Sequence, residues 1–226
     1  NDTIDEETNH YFNKNEIKIF LTKSTPRTIF KDRYEIYKKI IENNERVDKV
    51  MLSDTRDVIF QSDPFKDQNF SKLNFFLEDK KIFECNTNSK WIKRAYGKKV
   101  YESIKNETIS CSGVSIGNRL EMLNYTIDMT KEIRNNKYYS LNLYNKGSDQ
   151  GNHNVLVNLD SFRHAKKIKN HDAFIVNLSN SDPEILSSVD NKLMINEKLI
   201  SVVHQYNSHK KIHKIVDNFI NEIEKD

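Results

Sequence analysis

The chain has 226 residues, 36% of them hydrophobic and 31% charged, enough for one substantial domain with a closed core. Its 36 Lys and Arg balance 33 Asp and Glu, so the net charge of +3 leaves no electrostatic footprint for nucleic acid. No apolar run approaches the ~20 residues of a membrane span, and two cysteines, Cys85 and Cys111, are too few for a disulfide scaffold or a cysteine-rich zinc site.

In chain order, residues 1–15 are polar and predict a mobile leader, with no signal peptide in "NDTIDEETNH". The cytoplasm is therefore the expected location, and a secretory lumen stays open if a leader has been removed. "EIKIFL" (Glu16 to Leu21) predicts a short strand covered on both faces. "STPRTIFKDRYEIYKKIIENN" predicts a helix, with Thr25 as cap, Pro26 in the first turn and Ile29, Ile36 and Ile40 at helical spacing. "KVMLSD" follows as a second buried strand, which would complete a βαβ unit. "NFFLED" and "KIFEC" predict two strands or a strand and a turn. "SKWIKRAYGKKVYESIKN" predicts helix broken near Gly97, and "TISCSGVSIGN" a strand or strand pair.

Further on, "RLEMLNYTIDMTKEIRNN" predicts an amphipathic helix facing inward through Leu120, Leu123, Ile127 and Met129 or Ile133. "SDQGNHNVLVNLD" predicts a short helix capped by Ser148, with Asp149 in its first turn. "AFIVNL" and "LISVVHQY" predict late strands, and residues 210–225 a closing helix. Without repeats or a linker, the whole of 1–226 is expected to be one α/β domain.

The stretch "VMLSDTRDVIFQSDPF" carries two carboxylates and a guanidinium between apolar runs. Burying such charges is costly unless they are paired or hold a cation. Asp54 and Asp57, three apart at a strand end, can face one divalent cation; alternatively, Arg56 pairs with one of them as a structural bridge. Ligands of open α/β sheets sit beyond the carboxyl ends of strands, which puts His204, after "LISVV", on the same rim. His204 is then either a third metal ligand or a hydrogen-bonded core histidine. Asp149 and Gln150 either orient a polar ligand or cap a helix. His153 is expected at the surface, and His209 and His213 on a solvated face. Cys111, in "CSGVSIGN", lacks a partnered base and is expected to be a structural thiol beside a glycine-lined wall. Arg33 and Tyr37 share a helix face, and Arg33 can contact a phosphate or form a surface ion pair.

The order "RYEIYKKIIENNERVDKVMLSDTRDVIFQSDPF", "KWIKRAYG", "ISCSGVSIGN", "SDQGNHN" and "VVHQYNSH", from about Arg27 to His209, resembles a family of GT-A-fold, nucleotide-sugar-dependent glycosyltransferases. The segment "DTRD" stands where related enzymes carry Asp-x-Asp. The resemblance implies a three-layer sandwich with a mixed, mostly parallel sheet, helices on both faces and a shortened N-terminal part. It implies metal-dependent sugar transfer from a nucleotide-diphosphate sugar to a glycan, lipid-linked or protein acceptor, with retention. The alternative is a non-catalytic nucleotide-sugar or glycan-binding module. In this reading Asp54, Asp57 and His204 hold Mn²⁺ or Mg²⁺, and Asp149 and Gln150 lie by the reacting sugar. Arg33, Tyr37, Arg56, Gly113 and Lys210 contact the donor.

Overall fold

Successive side chains of β1 (Lys49–Ser53) and β3 (Asn74–Lys81) point to opposite faces of one sheet, and both faces are covered. Val50, Leu52 and Phe75 join a core with Tyr34, Tyr125 and Met129, whereas Met51 and Phe76 join another with Ile175, Val203 and Val216. This two-sided burial explains the unbroken apolar run of β1. The computed structural model describes residues 5–20, 22–25, 28–66, 70–136, 148–159, 162, 164–172 and 174–223.

The protein is α/β with mixed sheets. The main sheet has the order β1-β4-β3-β5, with β4 spanning Thr108–Asn118 and β5 Lys166–Ile168. A second sheet pairs β2 (Val58–Phe60), β10 (Val202–His204) and β6 (Ile175–Asn177). A meander of β7 (Leu186–Val189), β8 (Lys192–Ile195) and β9 (Lys198–Leu199) forms the third, which the sequence reading missed.

The expectation of a mostly parallel sheet is corrected. Among the described residues five strand pairs are antiparallel and only β3/β5 and β10/β6 are parallel. The reason lies in α3 (Asn86–Ile104), which Gly97 breaks with φ 84° and ψ 176°. Unbroken, its 19 residues would carry the chain about 28 Å from the end of β3. Broken, it turns back, and the Phe83 amide donates to the Lys105 carbonyl and that of Ile82 to Glu107. The chain re-enters the sheet where it left, so β4 must run antiparallel to β3.

Helices α2 (Ile29–Glu42) and α4 (Arg119–Asn135) pack together on one face of the main sheet, beside α5 (Asp149–Asn158). The other face is covered by the second sheet and by Ile212, Val216 and Phe219 of α6 (Lys210–Ile223), so it is not a layer of helices alone.

Several local expectations change. Residues 6–14, expected as a mobile leader, form helix α1 (Glu6–Lys14), capped by Asp5 and burying none of its side chains. The described part of "EIKIFL" is not a strand: Ile17, Ile19 and Phe20 are exposed, and no βαβ unit forms there. Thr28 rather than Thr25 stands at the N-cap of α2, while Pro26 lies outside the described residues. α4 buries Met122, Tyr125, Met129 and Ile133, leaving Leu120 and Ile127 exposed. Its inward face is turned because Tyr125 and Met122 pack on Phe75 and Tyr34.

Candidate functional site

Strand register brings the acidic turn to the late histidine. Ser53 of β1 pairs with Val114, so the Asp54 amide donates to the Gly113 carbonyl at 2.8 Å. β2 runs antiparallel to β10 with Val58 opposite His204, which sets Asp57 beside the histidine; the Gln205 amide donates to the Asp57 carbonyl at 2.8 Å. The His204 Nε2 lies 3.6 Å from Asp54 Oδ2 and 3.8 Å from Asp57 Oδ1. Asp54, Asp57 and His204 each offer a ligand atom, all within 4.8 Å of one another.

The role of His204 Nδ1 follows from its neighbours. Asn177 donates through Nδ2 to the Phe76 carbonyl at 3.1 Å, so its Oδ1 faces His204 Nδ1 at 2.7 Å. Nδ1 therefore donates to Asn177, while Nε2, fully buried and without a hydrogen-bond partner, faces the two carboxylates. A buried polar atom left so is costly unless a ligand completes it. Gly113 supplies the room: a Cβ there would come within 2.5 Å of His204 Cε1 and 2.6 Å of Asp54 Oδ2. An orphaned imidazole nitrogen, two carboxylates and a wall cleared of side chains fit a divalent cation.

Above this cluster opens a cavity of about 400 Å³ lined by Asp54, Arg33, Gly113, Asp149 and Gln150, among others. Arg33 is neither a surface ion pair nor free for a phosphate. It is buried, with Nη1 2.7 Å from Asp54 Oδ1 and Nη2 ion-paired to Asp149. Burial raises the Asp54 carboxyl, but neighbouring His204 and Arg33 outweigh that and hold it below the ordinary carboxylate value. For Asp149, fully buried, desolvation prevails over Arg33 and raises it. Asp149 is thus more than a helix cap; the Ser148 side chain forms no cap bond.

Gln150 accepts from the Ser112 hydroxyl at 3.4 Å and donates to Glu78 at 3.1 Å and Asn88 at 3.2 Å. Of the other residues expected at the donor, Gly113 lines the cavity, and Tyr37, Arg56 and Lys210 do not. Arg56 is exposed and pairs with neither carboxylate, because Arg33 holds Asp54 from the buried side. Tyr37 is half-buried edge-on against Tyr34 at 6.0 Å, outside the cavity lining. Lys210 is exposed at the start of α6, and Gly113 lines the cavity while leaving room for Asp54 and His204.

Both cysteines are free; Cys111 sits 3.6 Å from His204 Nδ1, and burial pushes its thiol well above the ordinary value. It stays protonated, as a structural thiol would. His153 is fully buried, not at the surface, between Tyr125 and Ser110. Missed from sequence were Glu78, Asn88, Trp91 and Asn180, which also line the cavity. The one available signal was the carboxylate of Glu78 closing an otherwise apolar strand, "NFFLE". No helix among the described residues is long and apolar enough to cross a membrane. No family model matches the chain, and neither does any curated protein.

Proposed function

We propose that the protein is a metal-dependent glycosyltransferase of GT-A-like fold, moving a sugar from a nucleotide-diphosphate donor to an acceptor with retention. The observation that carries this reading is the buried, unpartnered Nε2 of His204 aimed at Asp54 and Asp57 under an open cavity. The GT-A assignment draws on the antiparallel β4 beside β1, with the acidic turn at the carboxyl end of β1. Asp54, Asp57 and His204 hold the cation, and the mixed oxygen and imidazole set suits Mn²⁺ better than Mg²⁺. When bound, the ion supplies Lewis acidity to the diphosphate leaving group. Arg33 pairs with both Asp54 and Asp149 and fixes them in place. Asp149, in the cavity lining, would stabilise the positive charge that develops on the sugar.

In Asp57→Ala, we expect donor hydrolysis and transfer to be lost with the far-UV spectrum unchanged; wild-type turnover in that variant would end the proposal. A binding module is the second reading, favoured by the double engagement of Arg33 with a metal ligand and with Asp149. Titration of Mn²⁺ with UDP-sugars separates the two, since the module binds them without turnover.

A further inference from the structure

The candidate metal cluster meets the cavity through Asp54 alone. The far wall of the cavity is built by four segments that the proposed chemistry leaves unused. Glu78, at the end of the apolar part of β3, is buried, and its carboxylate takes hydrogen bonds from two carboxamides: Gln150 Nε2 at 3.1 Å and Asn180 Nδ2. The same Gln150 nitrogen reaches Asn88 Oδ1 at 3.2 Å, and Asn88 is anchored through Nδ2 on Cys85 Sγ at 3.3 Å. One helical turn along α3 from Asn88 comes Trp91, which lines the same cavity. A buried carboxylate without a cationic partner is expensive, and among the described residues no Lys or Arg pairs with Glu78. Burial raises its carboxyl above the ordinary value, with the amides of Asn180 and Gln150 opposing.

This wall has the composition that recognises a neutral polyhydroxylated ring. A carboxylate and amides fixed by mutual hydrogen bonds can accept from and donate to adjacent hydroxyls, and an indole offers an apolar face to the C–H side of such a ring. Among the described residues of this wall there is no cation to hold a phosphate.

We propose that Glu78, oriented by Gln150 and Asn180, binds adjacent hydroxyls of a pyranose lying against Trp91, and so sets which sugar the protein accepts. This inference rests on the reading of the cavity as a sugar-nucleotide site, and it adds the sugar subsite and its discriminating residue. Discrimination arises because an epimer with one hydroxyl inverted would put no donor on the carboxylate lone pairs that Gln150 and Asn180 leave open.

Trp91 is the only tryptophan in the chain, so its emission reports on this wall alone. The experiment titrates free hexopyranoses in the millimolar range and UDP-hexoses, with Mn²⁺ and with EDTA, against the wild type, Glu78→Gln and Glu78→Asp. Each protein is first checked by thermal melting. The wild type should shift its emission with some hexoses and not with their epimers, and the shift should survive EDTA. Glu78→Gln should weaken the preferred sugar by roughly tenfold to a hundredfold. Glu78→Asp, which keeps the charge but withdraws it by one methylene, should lose the epimer preference. A folded Glu78→Gln that keeps wild-type affinity and preference overturns the proposal. So does binding of Mn²⁺ and UDP with no added affinity or emission change from any hexose, a result that leaves the metal reading standing. A hexose shift that persists in EDTA while Mn²⁺ and UDP give no response supports the subsite and ends the metal-dependent reading.

Discussion

Two single residues expose the physics of the site and its support. Gly113 is needed because Asp54 and His204 occupy the space a side chain would take. Gly113→Ala should weaken Mn²⁺ binding at least about tenfold, measured by calorimetry, with secondary structure retained, since its neighbours must shift for the methyl to enter. His153 is held neutral: burial pushes it down to about 3, between the Tyr125 hydroxyl on Nδ1 and the Ser110 hydroxyl on Nε2, both at 2.8 Å. Phe75 stands edge-on to the ring, and Arg33 and Lys167 add distant positive charge. A folded value depressed below the ordinary 6.5 means that the unfolded chain takes up the proton first. Stability from this group is complete above pH 6.5 and declines as pH falls towards 3, by about 1.4 kcal/mol per unit. From pH 7 to pH 5 this group should account for about 2 kcal/mol of lost stability in urea denaturation, and His153→Gln should flatten that slope.

Among the elements, α3 shows how one residue sets topology. Gly97 sits in backbone space that essentially only glycine occupies, yet nothing lies within 4 Å of where its Cβ would be. Gly97→Ala should therefore cost about 1–3 kcal/mol through backbone strain alone, read from the chemical denaturation midpoint. A variant as stable as the wild type would remove the argument that this turn directs β4. α5 depends instead on polar packing. Asn152, His153 and Asn154 are all buried, and Asn154 bonds both the amide and the carbonyl of Ser110 at 2.9 Å, as a neighbouring strand would. Such a helix shows no apolar stripe, and its "GNHN" reads as surface until β4 is placed against it.

At the level of the whole molecule, the candidate centre joins a turn after β1 to the end of β10, far apart in sequence, so an ion would tie the main sheet to the second sheet. Mn²⁺ with a nucleotide sugar, at 100 times the dissociation constant, should add about 2.7 kcal/mol to stability. For a chain of this size that corresponds to roughly 5–10 °C in melting temperature. EDTA should abolish the shift, and an identical melting temperature with and without Mn²⁺ and donor would contradict a shared ion site.

Local pattern alone was sufficient for the strands "KVMLS" and "SVVH", the helices around Tyr34 and Tyr125, the break at Gly97 and the acidic rim. Each of these is written in short-range periodicity or in residue chemistry. The sequence could not reveal that Arg33 rather than Arg56 neutralises Asp54, that His153 is buried, or that Glu78 faces the cavity. Nor could it show that "EIKIF" is not a strand here. Those outcomes depend on which surfaces meet, because a charge or a polar ring is tolerated inside only when a distant segment supplies its partner. The partner's place is set by strand register and by the path of α3, which no local window of residues contains.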